Sequence, residues 1–232
     1  MKILAFDTTN STLSVAILFD KKLVAKKDIF ENNRQAEMLV PAIEECLKQL
    51  DIWYQDLDLI AFTKGPGSFT GVRIGYSCAK ALAIATKLPI IGFSSLEVIA
   101  YNYCSGINDN NNYQKILVVN DAKLDEFFIQ EFVIQNNTIK AIFEPTLISS
   151  KNIKKFLPPE EQFLLAGSAK LMIKDATKNA IIFEQEDFID AKNIALLASK
   201  KYVANDNKNL SALYIRQPKI TARKIISTPQ TK

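Results

Sequence analysis

The chain has 232 residues with 29 basic and 25 acidic side chains, a net charge of +4, and no histidine. A chain of this length forms one domain or two small ones and buries a substantial core. The absence of histidine excludes serine–histidine and cysteine–histidine nucleophile systems, histidine-ligated zinc and haem, and imidazole acid–base catalysis. Any catalysis would therefore depend on carboxylates, lysine, tyrosine, backbone dipoles or a bound ion.

The composition is typical of a soluble globular protein, with 48% apolar and 23% charged residues. No segment reaches the roughly 18 apolar residues that a membrane helix needs, and residues 1–7 predict a strand rather than a signal peptide. Cys46, Cys78 and Cys104 are odd in number and have no CxxC spacing. We therefore expect a cytoplasmic protein with reduced cysteines, no zinc site and no membrane contact.

The excess positive charge is concentrated at the end of the chain. Residues 1–105 carry 11 basic and 11 acidic side chains, residues 106–214 carry 13 and 14, and residues 215–232 carry five and none. Nucleic-acid-binding domains usually have a basic face on the folded body, which this distribution does not predict. The tail of residues 215–232 either contacts RNA or another acidic surface, or it is a solvated end.

The first hundred residues predict an α/β arrangement. Hydrophobic patterning predicts strands at residues 2–7, 13–19, 23–30, 58–63 and 89–93, and helices at 34–50, 70–87 and 94–103. The order β-β-β-α-β-α-β-α is typical of a mixed sheet with helices on its faces.

A similar pattern follows a polar break at residues 105–112, which is the best linker candidate in the chain. We expect strands at residues 116–120, 127–134, 139–143, 163–166 and 181–183, and helices at 150–157, 169–177 and 190–203. The two β-β-β-α-β-α blocks predict a duplicated architecture with a cleft between its halves. The predicted units are an N-terminal lobe (1–104), a C-terminal lobe (105–214) whose last helix is a candidate to pack back on the first lobe, and the tail.

Four of the seven glycines lie within residues 65–75, GPGSFTGVRIG, at a junction between a strand and a helix. The spacing matches neither a P-loop nor the GxGxxG dinucleotide motif. Two interpretations remain open: a helix N-terminus that binds an anion such as a phosphate, or a tight turn that needs glycine backbone angles.

The helix that follows has two apolar faces. One face is a ridge of small residues at every fourth position: Gly67, Gly71, Gly75, Ala79 and Ala83. The other is a broader apolar strip: Ile74, Cys78, Ala81, Leu82 and Ala85. A surface helix needs only one apolar face. One face is expected to lie on the sheet, and the other is covered by the first helix of this chain or by another subunit.

Three segments resemble the bacterial TsaB (YeaZ) family: residues 1–9 (MKILAFDTT), 65–75, and 88–97 (LPIIGFSSLE), with weaker similarity at 120–123 and 214–216. The resemblance implies the actin-like ATPase fold, shared with sugar kinases. It also implies a role in forming N6-threonylcarbamoyladenosine at position 37 of tRNAs that read codons starting with A. Family members pair with the transferase TsaD and assemble further with the ATPase TsaE, and older descriptions call them glycoprotease-like (M22-like) peptidases.

The resemblance further implies that this chain is not catalytic. TsaD-type proteins bind a metal through two histidines of a helical His-Leu-Glu-Gly-His motif, and Ser95 and Ile99 stand at those positions. Lys192 stands where those proteins have a metal-binding aspartate. We therefore expect no catalytic, metal or cofactor site in this chain, with ATP and a metal held by the partner subunits.

The nucleotide cleft of the fold is also altered. The turn at residues 8–11 and its counterpart at 121–125 contain no glycine, and only Gly167 remains of a glycine pair that contacts adenosine in the fold. Asp7 and Asp121 are weak candidates for holding a cation or acting as a base across the cleft. The alternative is that both acids hydrogen-bond to turn backbones.

The partner interface is expected on the two N-terminal helices, as a four-helix contact with TsaD. Its predicted residues are Gly67, Gly71, Arg73, Ile74, Gly75, Cys78, Ala79, Leu82 and Ala83, with Leu39 and Ile43 from the preceding helix. Without TsaD the same surface would form a homodimer, and tRNA would be contacted indirectly or through the tail. The alternative function is an ATP-dependent small-molecule kinase or ATPase of the same fold that uses Asp7 or Asp121.

Overall fold

A computed structural model describes residues 1–31, 33–106, 114–135, 138–158, 162–182, 188–202, 213 and 215. The strands are β1 (Lys2–Asp7), β2 (Leu13–Phe19), β3 (Lys22–Ile29), β4 (Leu59–Thr63), β5 (Ile90–Phe93), β6 (Lys115–Asp121), β7 (Glu126–Gln135), β8 (Thr138–Ala141), β9 (Thr146–Ser149), β10 (Phe163–Ala166) and β11 (Ala180–Ile182). The α-helices are α1 (Gln35–Gln49), α2 (Phe69–Thr86), α3 (Ser95–Gly106), α4 (Lys170–Ile173) and α5 (Ala191–Lys201), and 3₁₀ helices occupy Tyr54–Asp56, Ser150–Phe156 and Lys174–Ala176.

The first sheet has the strand order β3-β2-β1-β4-β5. The β1–β2 and β2–β3 pairs are antiparallel, whereas β1–β4 and β4–β5 are parallel. Successive side chains of β1 point to opposite faces, and both faces are covered. Leu4 and Phe6 pack with α1 and α2, while Ile3 and Ala5 pack with α3 and α5.

The second sheet has the order β11-β10-β6-β7-β8, with β9 paired to β7. Its inner face carries Ile116 and Val118, which join the same core as Ile3 and Ala5. Its outer face carries Leu117 and Val119 and is covered by the second 3₁₀ helix and α4. The molecule therefore has five layers, with α3 and α5 between the two sheets.

The two central helices are exchanged between the halves of the chain. Helix α3, from the first half, packs on β6, β7 and β8, whereas α5, from the second half, packs on β1, β2 and β4. Helices α3 and α5 also contact each other. One hydrophobic core therefore links both sheets, and neither sheet is covered by helices of its own half alone.

An ion-pair network fixes the start of α5 to the first sheet. The Lys26 ammonium lies 2.7 Å from an Asp28 oxygen and 2.8 Å from an Asp190 oxygen. The Ser14 hydroxyl donates to Asp28 at 2.6 Å and accepts a 3.0 Å hydrogen bond from the Ala191 amide. Burial alone would lower the pKa of Lys26, but the hydrogen bonds and charges of the two carboxylates outweigh it and raise that pKa.

The α/β class and the two mixed sheets are confirmed, and the predicted elements of the first hundred residues agree within three positions. The second half differs in detail. Strand β9 was not predicted, the predicted helix at 150–157 is a 3₁₀ helix, and that at 169–177 is one α-helical turn followed by a 3₁₀ turn. Ile153 and Phe156 are the apolar residues that anchor the first of these, and their i, i+3 spacing suits the three-residue period of a 3₁₀ helix.

Two predicted segments lie mostly outside the described residues. Of the polar break at 105–112, only residues 105 and 106, in the last turn of α3, are described. Of the tail, only residue 215 is described. In the part of the chain that the structure describes, no helix is long and apolar enough to cross a membrane.

Candidate functional site

The glycine-rich turn and the first half of α2 pack against the end of β1. A Cβ atom on Gly71 would lie under 3.0 Å from the carbonyl oxygen of Thr8, and one on Gly75 would lie 2.5 Å from the Thr8 hydroxyl. Real Cβ atoms do not approach this closely, so the glycines are required by the close approach of the two backbones. The small-residue ridge therefore faces inward, onto the chain's own first strand.

Part of the predicted partner interface is buried within this chain. Gly71, Gly75 and Ala79 are buried in this chain, as are Leu39 and Ile43 of α1, which belong to the core beneath the first sheet. Buried residues present little surface to another subunit, so the proposal below rests on the exposed residues of α2. Of the remaining predicted residues, Arg73 is exposed, and Gly67, Ile74, Cys78, Leu82 and Ala83 are half-buried.

The side of α2 that faces away from β1 is largely apolar and only partly open: Ile74 and Cys78 are half-buried against the core, whereas Ser77, Ala81, Ile84 and Ala85 are exposed. We name it the α2 strip; its residues are Ile74, Ser77, Cys78, Ala81, Ile84 and Ala85. Ile84 is 71% exposed, and Val40 of the adjacent α1 is 45% exposed. Sequence reasoning missed Ser77 and Ile84, although their i+3 and i+10 spacing from Ile74 places them on one face of a helix.

Three backbone donors at the start of α2 bond within the chain. The Ser68 amide donates to the Thr9 carbonyl at 2.8 Å. The Ser68 hydroxyl caps the helix by accepting from the Gly71 amide at 3.2 Å, and the Ser68 carbonyl accepts from the Val72 amide. These bonds favour the tight-turn interpretation of the motif over an anion site.

Asp7 is 1% exposed and is held at the end of β1 by hydroxyl donors. Its Oδ1 accepts hydrogen bonds from the Thr9 amide at 3.1 Å, the Thr9 hydroxyl at 2.6 Å and the Thr63 hydroxyl. Burial raises the pKa of Asp7, and these hydrogen bonds offset only part of the rise. The carboxyl is thus used to hold the turn, and it does not line the cavity between the lobes.

Asp121 does line that cavity, but it is paired with a neighbouring residue. Its Oδ1 accepts from the Lys123 amide at 2.7 Å, and its Oδ2 lies 2.5 Å from the Lys123 ammonium. With Asp7 buried beneath its turn, the two acids do not form a pair across the cavity. These residues do not fit the magnesium–phosphate group that the fold holds in its ATP-using members.

The turn at Gly167 and Ser168, the remnant of the glycine pair expected to contact adenosine, is also hydrogen-bonded within the chain. Gly167 has a φ of +99°, and a Cβ there would overlap the Val119 carbonyl oxygen. The Ser168 amide donates to the Asn120 side chain at 3.0 Å, and the Ser168 hydroxyl accepts from the Asp121 amide at 3.0 Å. The turn is therefore bound to the end of β6.

Ser95 and Ile99, which stand where TsaD-type proteins have two metal-binding histidines, make packing contacts in this chain. The Ser95 hydroxyl donates to the Pro66 carbonyl, and the Ser95 amide donates to the Gly65 carbonyl at 2.9 Å, which attaches α3 to the glycine-rich turn. Ile99 is 2% exposed and belongs to the central core. Among the residues described, no three cysteine, aspartate or glutamate side chains are grouped so as to hold a metal ion.

The comparisons with known proteins agree with this geometry. Residues 32–220 match the model of the TsaD family, tRNA N6-adenosine threonylcarbamoyltransferase. The chain is 32% identical over 199 residues to the tRNA threonylcarbamoyladenosine biosynthesis protein TsaB of Buchnera aphidicola subsp. Schizaphis graminum, covering 83% of this chain and 90% of that protein. The chain belongs to the TsaB (YeaZ) family. The resemblance seen in the sequence is thereby confirmed.

Solved structures confirm the actin-like fold. A Pseudomonas aeruginosa protein described as similar to the peptidase YeaZ superposes with a TM-score of 0.79 at 20% identity, covering 93% of this chain and 99% of that one. The polyphosphate/ATP-glucomannokinase of an Arthrobacter strain superposes with a TM-score of 0.52 at 8% identity, covering 87% and 99%. At these identities the likeness is one of fold.

Proposed function

We propose that this TsaB-family chain is a non-catalytic scaffold subunit that pairs with a TsaD-type transferase. In this role it supports formation of N6-threonylcarbamoyladenosine at adenosine 37 of tRNAs that read codons starting with A, and a TsaE-type ATPase joins the complex. Its relative is named as a biosynthesis protein for this nucleoside. The observation that carries the proposal is that α2 packs one face on β1 and leaves Ser77, Ala81, Ile84 and Ala85 of its other face exposed.

The absence of chemistry of its own is supported by the state of the candidate residues. Asp7 and Ser95 each bond to the backbone or hydroxyls of their own chain, and Asp121 pairs with Lys123. Burial raises the pKa of the Cys78 thiol in the α2 strip to about 11, so it is a poor nucleophile at neutral pH. ATP and a metal are accordingly expected in the partner subunits, with tRNA contacted indirectly or through the basic tail.

The choice of a TsaD-type partner is supported by the match to the TsaD family model, which includes α1 and α2. A partner built on the same fold has equivalent helices to place against these two. Ser77, Ala81 and Ala85 are small, so a partner helix can approach the α2 strip closely. Without that partner, the same surface suits a symmetric homodimer.

The test is Ala81→Arg, which places a long charged side chain at the centre of the α2 strip. Ala141→Arg is the matched control, since Ala141 is an exposed alanine at the edge of the second sheet. We expect Ala81→Arg to lower affinity for the co-purified TsaD-type transferase at least tenfold and to reduce tRNA modification in the reconstituted system, with the thermal midpoint of the free chain unchanged.

Equal affinity and modification for the two arginine variants would overturn the proposal. Isothermal titration of the isolated chain with Mg-ATP addresses the kinase alternative. Micromolar binding that Asp121→Ala abolishes would favour that alternative, and we expect none.

A further inference from the structure

The cavity between the two lobes has a volume of about 1190 Å³ and little charge. The first lobe contributes residues 9–12 and 66–72, and the second contributes 120–124 and 168. Most of these lining side chains are polar but uncharged: Thr9, Asn10, Ser11, Thr12, Ser68, Thr70, Asn120 and Ser168. The cavity's only charged lining side chains among the described residues are those of Asp121 and Lys123, and they neutralise each other at 2.5 Å. A phosphate group would find no unpaired cation here.

Large apolar side chains stand at the rim of the cavity on both lobes. Phe30 is 66% exposed and Phe69 is 45% exposed on the first lobe, and Leu124 is 68% exposed on the second. The Phe30 ring packs against the Phe188 ring, with centroids 5.5 Å apart, which extends the apolar surface. Exposed apolar groups gathered on one concave surface are typical of a protein or ligand contact.

Leu124 is unfavourable in the isolated chain because its backbone conformation is strained and its apolar side chain is exposed. It lies at the tip of the β6–β7 turn in the left-handed region with φ +56°, between Lys123 at +62° and Asp125 at +58°. Leucine is rarely found there, because its Cβ is crowded by the backbone. Strain of this kind together with an exposed apolar side chain occurs at binding surfaces, where a partner covers the group.

We propose that the cavity between the lobes binds an uncharged segment of the TsaD-type transferase, the same partner that covers the α2 strip, and that apolar side chains of this segment contact Phe30, Phe69 and Leu124. This inference rests on the proposed function. The two surfaces are continuous, because Ile74 belongs to the strip and also lines the cavity, five residues along α2 from Phe69. The cavity is larger than the roughly 300–1,000 Å³ of most small-molecule pockets, and its two walls suit a chain segment that spans both lobes.

Hydrogen exchange on the complex with a TsaD-type transferase tests the inference. We expect protection of α2 and, in the same complex, at least fivefold slower exchange at residues 120–128. Leu124→Asp removes the apolar contact at a backbone conformation that aspartate adopts readily, and it should weaken partner affinity at least fivefold. Leu171→Asp is the matched control, because Leu171 is 62% exposed on the second lobe and does not line the cavity.

Other results separate the two proposals. Protection of α2 with unchanged exchange at residues 120–128 would overturn the inference and leave the proposed function intact, as would equal affinities for Leu124→Asp and Leu171→Asp. Protection of 120–128 in the free chain by Mg-ATP would identify a nucleotide as the occupant and also overturn it. Failure of the wild-type chain to bind the transferase at all would overturn the proposed function itself.

Discussion

The hydroxyl of Thr8 donates a 2.7 Å hydrogen bond to the carbonyl oxygen of Gly71, joining the end of β1 to the first turn of α2 in the protein interior. This contact between a strand end and a helix occupies the Thr8 hydroxyl and holds Gly71 close to the Thr8 backbone.

Gly71→Ala is expected to destabilise the chain by about 2 kcal/mol or more, because its methyl group would overlap the Thr8 carbonyl and the packed backbones must separate. Urea denaturation measures the effect. Ser77→Ala, on the exposed side of the same helix, serves as the control and should change the unfolding free energy by less than about 0.5 kcal/mol. Equal stabilities would mean that the ridge does not lie on β1.

Asp7→Asn removes a buried charge and keeps an oxygen that accepts from the Thr9 and Thr63 hydroxyls. Since burial raises the pKa of Asp7 above its ordinary 3.8, the folded state holds this proton more tightly than the unfolded state. The wild type should therefore lose stability relative to Asp7→Asn as pH rises from below 3.8 through the folded-state pKa. Denaturation of both proteins from pH 3 to 8 measures the difference, and tRNA modification at pH 7 should be retained. Loss of modification in a folded variant would argue for a chemical role of Asp7.

Lys26→Met should lower the unfolding free energy at pH 7 by about 1–3 kcal/mol, because Asp28 and Asp190 would lose their shared cation. The raised pKa of Lys26 means that its stabilisation is fully present below 10.5 and is lost as pH rises through the folded-state value. The gap between wild type and variant should thus close in strong alkali. Adding Asp190→Asn should recover part of the loss at pH 7, and full additivity of the two changes would show that the groups do not interact.

A fragment of residues 1–106 should fail to fold, although it contains the complete first sheet. Without α5, the face that carries Ile3, Ala5, Ala16 and Leu18 would be open to water, and α3 would lack the second sheet on which it packs. Circular dichroism and amide proton dispersion of the fragment provide the measurement. A cooperative thermal transition in the fragment would show that the first sheet folds without α5 and would contradict this prediction.

The sequence predicted the strands and helices of the first sheet because their signals are local. Residues 2–7 form an apolar run that ends in an acid, and 65–75 concentrates glycine at a strand–helix junction. The glycine spacing also predicted a close backbone approach correctly. It did not identify the element that packs on the ridge, since small residues on α2 fit the chain's own β1 or a neighbouring helix equally well. Burial of Gly75 decides this, and burial depends on tertiary structure.

The contacts that close the candidate sites were not predictable, because they join residues far apart in the chain. Ser95 reaches Pro66 across 29 positions, and Lys26 reaches Asp190 across 164. Their partners follow from sheet order and helix placement, which hydrophobic periodicity does not specify. The helix at Ser150–Phe156 was predicted, but its 3₁₀ type was not, since a seven-residue segment is too short to distinguish a period of 3.0 from 3.6.

The exchange of α3 and α5 between the halves has a consequence during protein synthesis. The last strand of the first sheet ends at residue 93, and α5 begins at residue 191. At about 5–20 residues per second, a ribosome needs roughly 5–20 s to make the intervening chain. Through that interval the face that α5 covers has only α3 from its own chain beside it, so the nascent molecule exposes apolar surface of a kind that promotes aggregation.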